Sequence, residues 1–146
     1  MLTTLLETSG TTSQKVGTVD GIRIAKNKEV RKMVILLVED TDMVTFAVKQ
    51  LLSRSGHDVL SAKDGVEAME ILSEKEFQID YLITDLDMPR LDGMGLLEMV
   101  KGWNFTKWMF SGSIDDEGAR KAIALGASKV VWKMEIFSEL RKASLI

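Results

Sequence analysis

An alternation of two hydrophobic patterns is the feature that most restricts how this chain can fold. From Lys32 onward, apolar runs of strand length are followed by segments in which apolar residues recur every three or four positions. Such alternation is typical of a parallel sheet with helices on both faces, because a strand buried on both sides reads as one apolar run. We therefore predict an α/β fold with a doubly wound, five-stranded parallel sheet. The expected strands cover residues 33–38, 58–61, 79–84, 107–110 and 129–132.

Capping residues support the predicted helix boundaries. Asp64 stands three residues before Glu67, and Ser113 stands three residues before Asp116, so each can cap the first turn of a helix. Glycine suits the left-handed residue with which many helices end. We expect helices to end near Gly56, Gly102 and Gly126.

The first 31 residues differ from the rest in composition. They are rich in Thr, Ser, Gly and Lys, and their hydrophobic periodicity is weak. Within them, Asp20-Gly21 suits a tight turn between two short strands, and this predicts a hairpin over residues 16–24. A lone hairpin is only marginally stable in water. We expect residues 1–31 to be an N-terminal extension, either a mobile tail or a small docked element, and residues 32–146 to be the folded domain.

Charge and residue content exclude several classes of function. The net charge of -3, from 19 basic and 22 acidic residues, leaves no wide basic surface, so we expect no direct nucleic-acid partner. The absence of cysteine excludes disulfides and thiolate metal sites. Residues 1–14 lack the pattern of a secretory signal, and no apolar run approaches membrane-spanning length. We expect a cytoplasmic protein without a membrane partner.

Polar side chains follow four of the five predicted strands. Glu39-Asp40 comes after the first strand, Asp85 after the third, Ser111 after the fourth and Lys133 after the fifth. The carboxyl ends of parallel strands meet at one edge of a sheet, so these side chains should lie close together. Crowded carboxylates without Cys or His nearby favour a hard ion, above all Mg²⁺. With a hydroxyl and an amine added, the set predicts a phosphoryl-transfer site.

The segment from Met33 to about Leu140 resembles the receiver domain of two-component response regulators. The resemblance covers about three-quarters of the chain and follows the motif order of that family. The matching stretches are residues 37–40, 56–59, 62–68, 85–93, 110–112 and 126–133. It implies a flavodoxin-like sheet with strand order 2-1-3-4-5.

The resemblance also implies a metal site. Asp40 and Asp85 would bind Mg²⁺ directly, Glu39 would bind it through water, and Asp87 would contribute its backbone carbonyl. Asp85 would be the phosphorylated residue. No enzymatic activity is implied beyond Mg²⁺-dependent self-phosphorylation and self-dephosphorylation.

Partners are implied in the same way. Asp85 would take its phosphoryl group from a sensor histidine kinase or a histidine phosphotransfer protein, with Lys133 and Ser111 contacting that group. The face built from the fourth helix, fifth strand and fifth helix would then bind a downstream protein target. The resemblance leaves open whether the protein forms a homodimer.

Two departures from the family pattern leave alternatives open. Met134 stands where the family usually has a proline with a cis peptide bond, and Val130 replaces an aromatic residue. We expect a trans bond before Met134. One alternative is therefore a receiver-like interaction module that no longer accepts phosphate. Another is a phosphatase of the haloacid dehalogenase type, which also uses Asp-x-Asp after a strand, although Pro89 does not fit it.

The single histidine is expected to have no role in the site. His57 lies between a predicted helix and a predicted strand, and no second histidine accompanies it. We predict an exposed turn residue. The tryptophans are expected to pack in or around the core; they are Trp103, Trp108 and Trp132.

Overall fold

The computed structural model describes residues 16–19, 22–25 and 31–146, and the chain divides into two compact units, residues 1–31 and 32–146. In the first unit, strands β1 (Val16–Val19) and β2 (Ile22–Ala25) pair antiparallel. The predicted Asp20-Gly21 turn and residues 1–15 and 26–30 lie outside the described residues.

Strands and helices alternate through the second unit. The strands are β3 (Val34–Val38), β4 (Asp58–Ala62), β5 (Tyr81–Asp85), β6 (Thr106–Ser111) and β7 (Lys129–Trp132). The helices are α1 (Asp42–Arg54), α2 (Gly65–Lys75), α3 (Gly93–Met99), α4 (Asp116–Ala124) and α5 (Ile136–Lys142). Two short 3-10 turns occupy Glu76–Gln78 and Lys133–Glu135.

The five strands of this unit form one parallel sheet in the order β4-β3-β5-β6-β7. Counted from the first strand of the unit, the order is 2-1-3-4-5, which confirms the predicted flavodoxin-like topology. Only β5 differs from its prediction by more than one residue at either end, since it begins at Tyr81 rather than at residue 79. Asp80 is instead used before the strand, where its carboxylate accepts a hydrogen bond from the Val34 N–H group at 2.8 Å.

The core lies on both faces of the sheet, as the continuous apolar runs predict. Alternate residues of β3 and β5 point to opposite sides, and each side is covered by a different set of helices. Ile35, Leu37 and Ile83 pack with α1 and α5. Leu36, Val38 and Leu82 pack with α2 and α3. Burial of each such side chain contributes about 2 kcal/mol, so the strand ends are held on a rigid platform.

Helix caps confirm one prediction and correct another. The Asp64 carboxylate accepts a hydrogen bond from the Glu67 N–H group at 2.9 Å and caps α2 as predicted. The prediction of Ser113 as the cap of α4 is wrong, because Asp115 caps that helix by accepting from the Gly118 N–H group at 2.7 Å. The backbone of Ser113 instead bonds with the Ser111 hydroxyl.

The prediction that His57 is exposed is also wrong. Its side chain is buried at the end of the sheet opposite the predicted site, and Nδ1 accepts a hydrogen bond from the Met33 N–H group at 2.9 Å. Nε2 lies 2.8 Å from the Leu145 carbonyl. A carbonyl only accepts, so Nε2 donates and the ring is the neutral Nε2–H tautomer. Leu145 is 88 residues away along the chain, so the sequence around His57 does not indicate this contact.

The tryptophans divide between core and surface. Trp108 is buried and packs edge-to-face with Tyr81, with ring centroids 5.8 Å apart. Trp103 is half-buried beside Phe105. Trp132 is exposed on β7.

Candidate functional site

Three acidic side chains meet at the carboxyl edge of the sheet. Glu39 and Asp40 directly follow β3, and Asp85 is the last residue of β5, the neighbouring strand. One carboxylate oxygen from each of the three lies within 4.8 Å of the others. Glu39 and Asp85 are buried and Asp40 is exposed, so the cluster is open to solvent on the Asp40 side. The convergence expected from the strand ends is therefore present.

Lys133 joins this cluster from the end of β7. Its Nζ lies 3.2 Å from Asp85 Oδ2 and 3.1 Å from Glu39 Oε1, so one ammonium group bridges both buried acids. The peptide bond before Met134 is trans, as expected. The lysine reaches the site in this conformation.

Among the described residues, two buried carboxylate oxygens are left without a hydrogen bond. Glu39 Oε1 faces the Lys133 ammonium at ion-pair distance but accepts no aligned hydrogen bond, whereas its Oε2 accepts from the Thr41 N–H group at 2.9 Å. Asp85 Oδ1 has no hydrogen-bond donor. Leaving a buried acceptor unpaired costs about 1–3 kcal/mol. Asp85 Oδ1 is thus an available anionic oxygen.

Burial and charge act together on the acids and the lysine. Burial, reinforced by the charge of Glu39, raises the pKa of Asp85 from 3.8 to about 6, although Lys133 pulls it down. Burial also works to lower the pKa of Lys133, but the adjacent carboxylates of Glu39 and Asp85 outweigh it, and that pKa is raised. The ammonium therefore stays charged, and one cation faces three carboxylates.

The donor set fits a hard divalent cation. All three side chains offer oxygen, Asp85 Oδ1 is free to bind, and the exposed Asp40 leaves room for the water ligands that Mg²⁺ retains. The side chain of Asp87 is exposed in the β5–α3 loop (residues 86–92), two residues beyond Asp85. Its predicted contribution is a backbone carbonyl, not its carboxylate.

Ser111 lies at the end of β6, the strand next to β5. Asp85 pairs with Phe110 in the ladder, so the serine is one residue beyond the level of the aspartate. The Ser111 side chain is buried, and its hydroxyl donates to the Ser113 carbonyl at 3.2 Å and accepts from the Ser113 N–H group at 3.1 Å. In this conformation the hydroxyl belongs to the turn after β6.

Gly93 fixes the base of the β5–α3 loop. Its N–H group donates to the Leu86 carbonyl at 2.9 Å, and a Cβ atom at Gly93 would overlap the Asp85 carbonyl oxygen. This close approach requires glycine. Gly93 ends the 85–93 stretch that resembles the family, but its spacing alone did not indicate this contact.

One ion pair beside the site was not predicted from the sequence. Arg90, in the β5–α3 loop, donates from Nε to Asp64 Oδ2 at 2.7 Å and from Nη2 to Asp64 Oδ1 at 3.2 Å. The hydrogen bonds from Arg90 and from the Glu67 N–H group hold the pKa of Asp64 below its usual value. Asp64 was predicted as a helix cap and lies in the 62–68 stretch that resembles the family, but no periodic pattern links it to a residue 26 positions away.

The sheet order and the acidic edge define a flavodoxin-like domain with its polar site at the carboxyl ends of the strands. The family model of the response regulator receiver domain matches residues 35–144. The chain therefore belongs to the response regulator receiver domain family, whose members act in two-component systems and are in general signal transducers rather than enzymes. Receiver domains bind Mg²⁺, in keeping with the acidic cluster.

Curated relatives share this domain within longer proteins. The chain is 38% identical over 105 residues to the sensor kinase CckA of Brucella abortus, which covers 66% of this chain and 11% of that protein. It is 40% identical over 70 residues to a chemotaxis protein CheY homolog of Campylobacter jejuni, covering 47% of this chain and 53% of that protein. The chain thus matches only a tenth to a half of the length of these relatives.

Solved structures agree with the fold. The response regulator receiver domain protein from Clostridium thermocellum superposes with a TM-score of 0.64 at 27% identity, covering 77% of this chain and 98% of that one.

No helix in the described residues is long and apolar enough to cross a membrane.

Proposed function

We propose that this chain accepts a phosphoryl group on Asp85 from a phosphohistidine of a sensor histidine kinase or a histidine phosphotransfer protein. The observation that carries the proposal is the state of the Asp85 carboxylate. One oxygen is held by Lys133, and the other is buried without a donor next to two further acids. Mg²⁺ would be held by Asp40, Asp85 and the Asp87 carbonyl, with Glu39 acting through water.

The side chains suit nucleophilic attack on phosphorus. With a pKa of about 6, Asp85 is mostly ionised at neutral pH and keeps a reactive lone pair. A carboxylate oxygen forms the new bond to phosphorus, the bond from phosphorus to the histidine nitrogen breaks, and the imidazole leaves with that electron pair. When bound, Mg²⁺ supplies charge neutralisation for the phosphoryl oxygens. Lys133 stays charged and offsets the negative charge that remains.

Ser111 is proposed to report the phosphoryl group to the surface. Within the part of the chain that the structure describes, its hydroxyl is held only by the backbone of Ser113, at 3.1 and 3.2 Å, so it can exchange these bonds for one to a phosphoryl oxygen. The turn before α4 would move with it. We infer that the α4-β7-α5 face, on which Ile123 and Trp132 are exposed, then changes its population of states and binds a downstream protein.

A phosphate-affinity gel tests the proposal. The purified protein is incubated with acetyl phosphate and Mg²⁺, with Asp85→Asn as the matched control. We expect a retarded band for the parent protein alone, which disappears with EDTA and after hydroxylamine treatment, because hydroxylamine cleaves acyl phosphates. An equal shift in Asp85→Asn would place the modification elsewhere. Phosphotransfer profiling against purified histidine kinases then identifies the donor.

An interaction module that does not accept phosphate is the second candidate. It is favoured by the ion pair of Lys133 with Glu39 and by Met134, which is 89% exposed where the family usually has proline. No retarded band in the parent protein under any Mg²⁺ concentration would support this alternative. The haloacid dehalogenase hypothesis gains nothing from the family assignment, and turnover of p-nitrophenyl phosphate would be its test.

A further inference from the structure

We propose that the Arg90–Asp64 ion pair positions the β5–α3 loop, and with it the Asp87 carbonyl, for metal binding. Arg90 is then a positioning residue that touches neither the metal nor the phosphoryl group. The inference rests on the proposed function, because it concerns the same metal site.

The first support is the way the loop is held. At its base, the Gly93 N–H group bonds to the Leu86 carbonyl at 2.9 Å. At its far end, Arg90 binds Asp64 through two hydrogen bonds, and the next residue, Leu91, accepts from the Gly65 N–H group at 2.9 Å. Within the described part of the chain, no backbone N–H group donates to the Asp87 carbonyl, although the Asp87 N–H group lies near enough to the Asp85 carboxylate to lower the pKa of that acid. The position of its carbonyl therefore depends on the contacts at the two ends of the loop.

The second support is the backbone conformation of Arg90. Its φ is 67°, in the left-handed region that favours glycine and strains an arginine. An arginine persists in such a conformation only where other contacts over-determine it. The bond from Nε to Asp64 Oδ2 is short, at 2.7 Å, and provides that contact.

The third support is the state of Asp64. Its side chain is only 7% exposed, and its carboxylate already caps α2 through the Glu67 N–H group. A fixed carboxylate on a helix end is a rigid anchor. The Gly65 backbone beside it approaches Leu91 so closely that a Cβ atom would lie 2.6 Å from the Leu91 carbonyl oxygen. The two loops are thus joined by backbone and by side chain at the same point.

Arg90→Gly separates positioning from folding. Glycine adopts the observed φ without strain, and this gain offsets the loss of the ion pair, so the urea midpoint in EDTA should change little. We expect the Mg²⁺ dissociation constant, measured by titration calorimetry, to rise about tenfold, the usual effect of losing a partner that orients a ligand. Amide hydrogen exchange in residues 86–91, followed in EDTA, should become faster.

The sign of the affinity change excludes a purely electrostatic effect. Removing a cation near the site would by itself tighten Mg²⁺ binding, whereas loss of positioning weakens it. Lys63→Gly is the matched control, because it removes an exposed cation from the loop next to Asp64 and leaves the ion pair intact. Asp64→Asn keeps an oxygen that can cap α2. The double variant, Asp64→Asn with Arg90→Gly, should bind Mg²⁺ no more weakly than whichever single variant binds it more weakly.

Tighter or unchanged Mg²⁺ binding in Arg90→Gly, with unchanged exchange in residues 86–91, overturns the inference. If the parent protein binds Mg²⁺ and is phosphorylated while Arg90→Gly behaves identically, the positioning role alone fails. If the parent binds no Mg²⁺, the proposed function fails and this inference fails with it.

Discussion

Replacing Asp85 with asparagine is expected to stabilise the metal-free protein. Burial and the neighbouring Glu39 raise the pKa of Asp85 from 3.8 to about 6, so ionisation is less favourable in the folded state than in the unfolded chain. A pKa difference of about 2 corresponds to ~3 kcal/mol. Asparagine has the shape of the neutral acid, and the pKa shift already includes the loss of the attraction of Lys133 for the charged form. We expect a gain of about 2–3 kcal/mol.

The pH dependence follows from the direction of the pKa shift. The folded state keeps a proton on Asp85 more readily than the unfolded chain does, so stability is lost as pH rises through the interval from 3.8 to about 6. Above that interval the penalty is complete, and below it the penalty is absent. The advantage of Asp85→Asn should therefore be present at about pH 7.5 and largely absent at about pH 4.

Urea unfolding in EDTA at both pH values measures this effect. A gain of about 2 kcal/mol, the lower end of the expected range, should also raise the melting temperature by about 8 °C for a domain of this size. Asp87→Asn is the matched control, because it makes the same chemical change at an exposed position nearby and should alter stability by less than about 0.5 kcal/mol. Equal stability of the Asp85→Asn variant and the parent at about pH 7.5 would refute the reasoning.

Three further predictions concern the metal, the buried histidine and the loop base. Mg²⁺ at ten times its dissociation constant should stabilise the parent by about 1.4 kcal/mol in thermal melts, and Asp85→Asn by less; an equal gain in both would contradict the site. His57→Leu should cost about 2–4 kcal/mol in urea unfolding, because it leaves the Met33 N–H group and the Leu145 carbonyl buried without partners. Gly93→Ala should lower the free energy of unfolding by more than about 2 kcal/mol, because the added Cβ would overlap backbone atoms that are fixed in the sheet edge. A loss below about 0.5 kcal/mol would show that the loop can shift to accommodate it.

The strands and the acidic cluster were predictable because each depends on a simple rule. Strands such as β3 are covered on both faces, so their apolar runs stand out in the sequence. Glu39, Asp85 and Lys133 meet because strands of one parallel sheet end at the same edge. Neither result requires knowledge of side-chain packing.

The errors concern residues whose environment is set by distant segments. His57 is buried because the C-terminal residues return to it, and the sequence around it has no pattern that indicates this contact. Ser113 and Asp115 are both good caps, and the choice between them depends on the Ser111 hydroxyl, which holds the Ser113 backbone. The Arg90–Asp64 pair depends on how closely two loops approach.

His57 couples the stability of the two ends of the receiver domain. Its ring bonds to the N–H group of Met33, the residue before β3, and to the carbonyl of Leu145 after α5. Strand β3 lies between β4 and β5 in the sheet. Local unfolding of residues 143–146 would remove the acceptor for Nε2 and loosen the start of β3, the strand that Glu39 follows. A fusion partner joined directly at residue 146 would therefore disturb the hydrogen bond from His57 to Leu145. A spacer at that junction should preserve the fold.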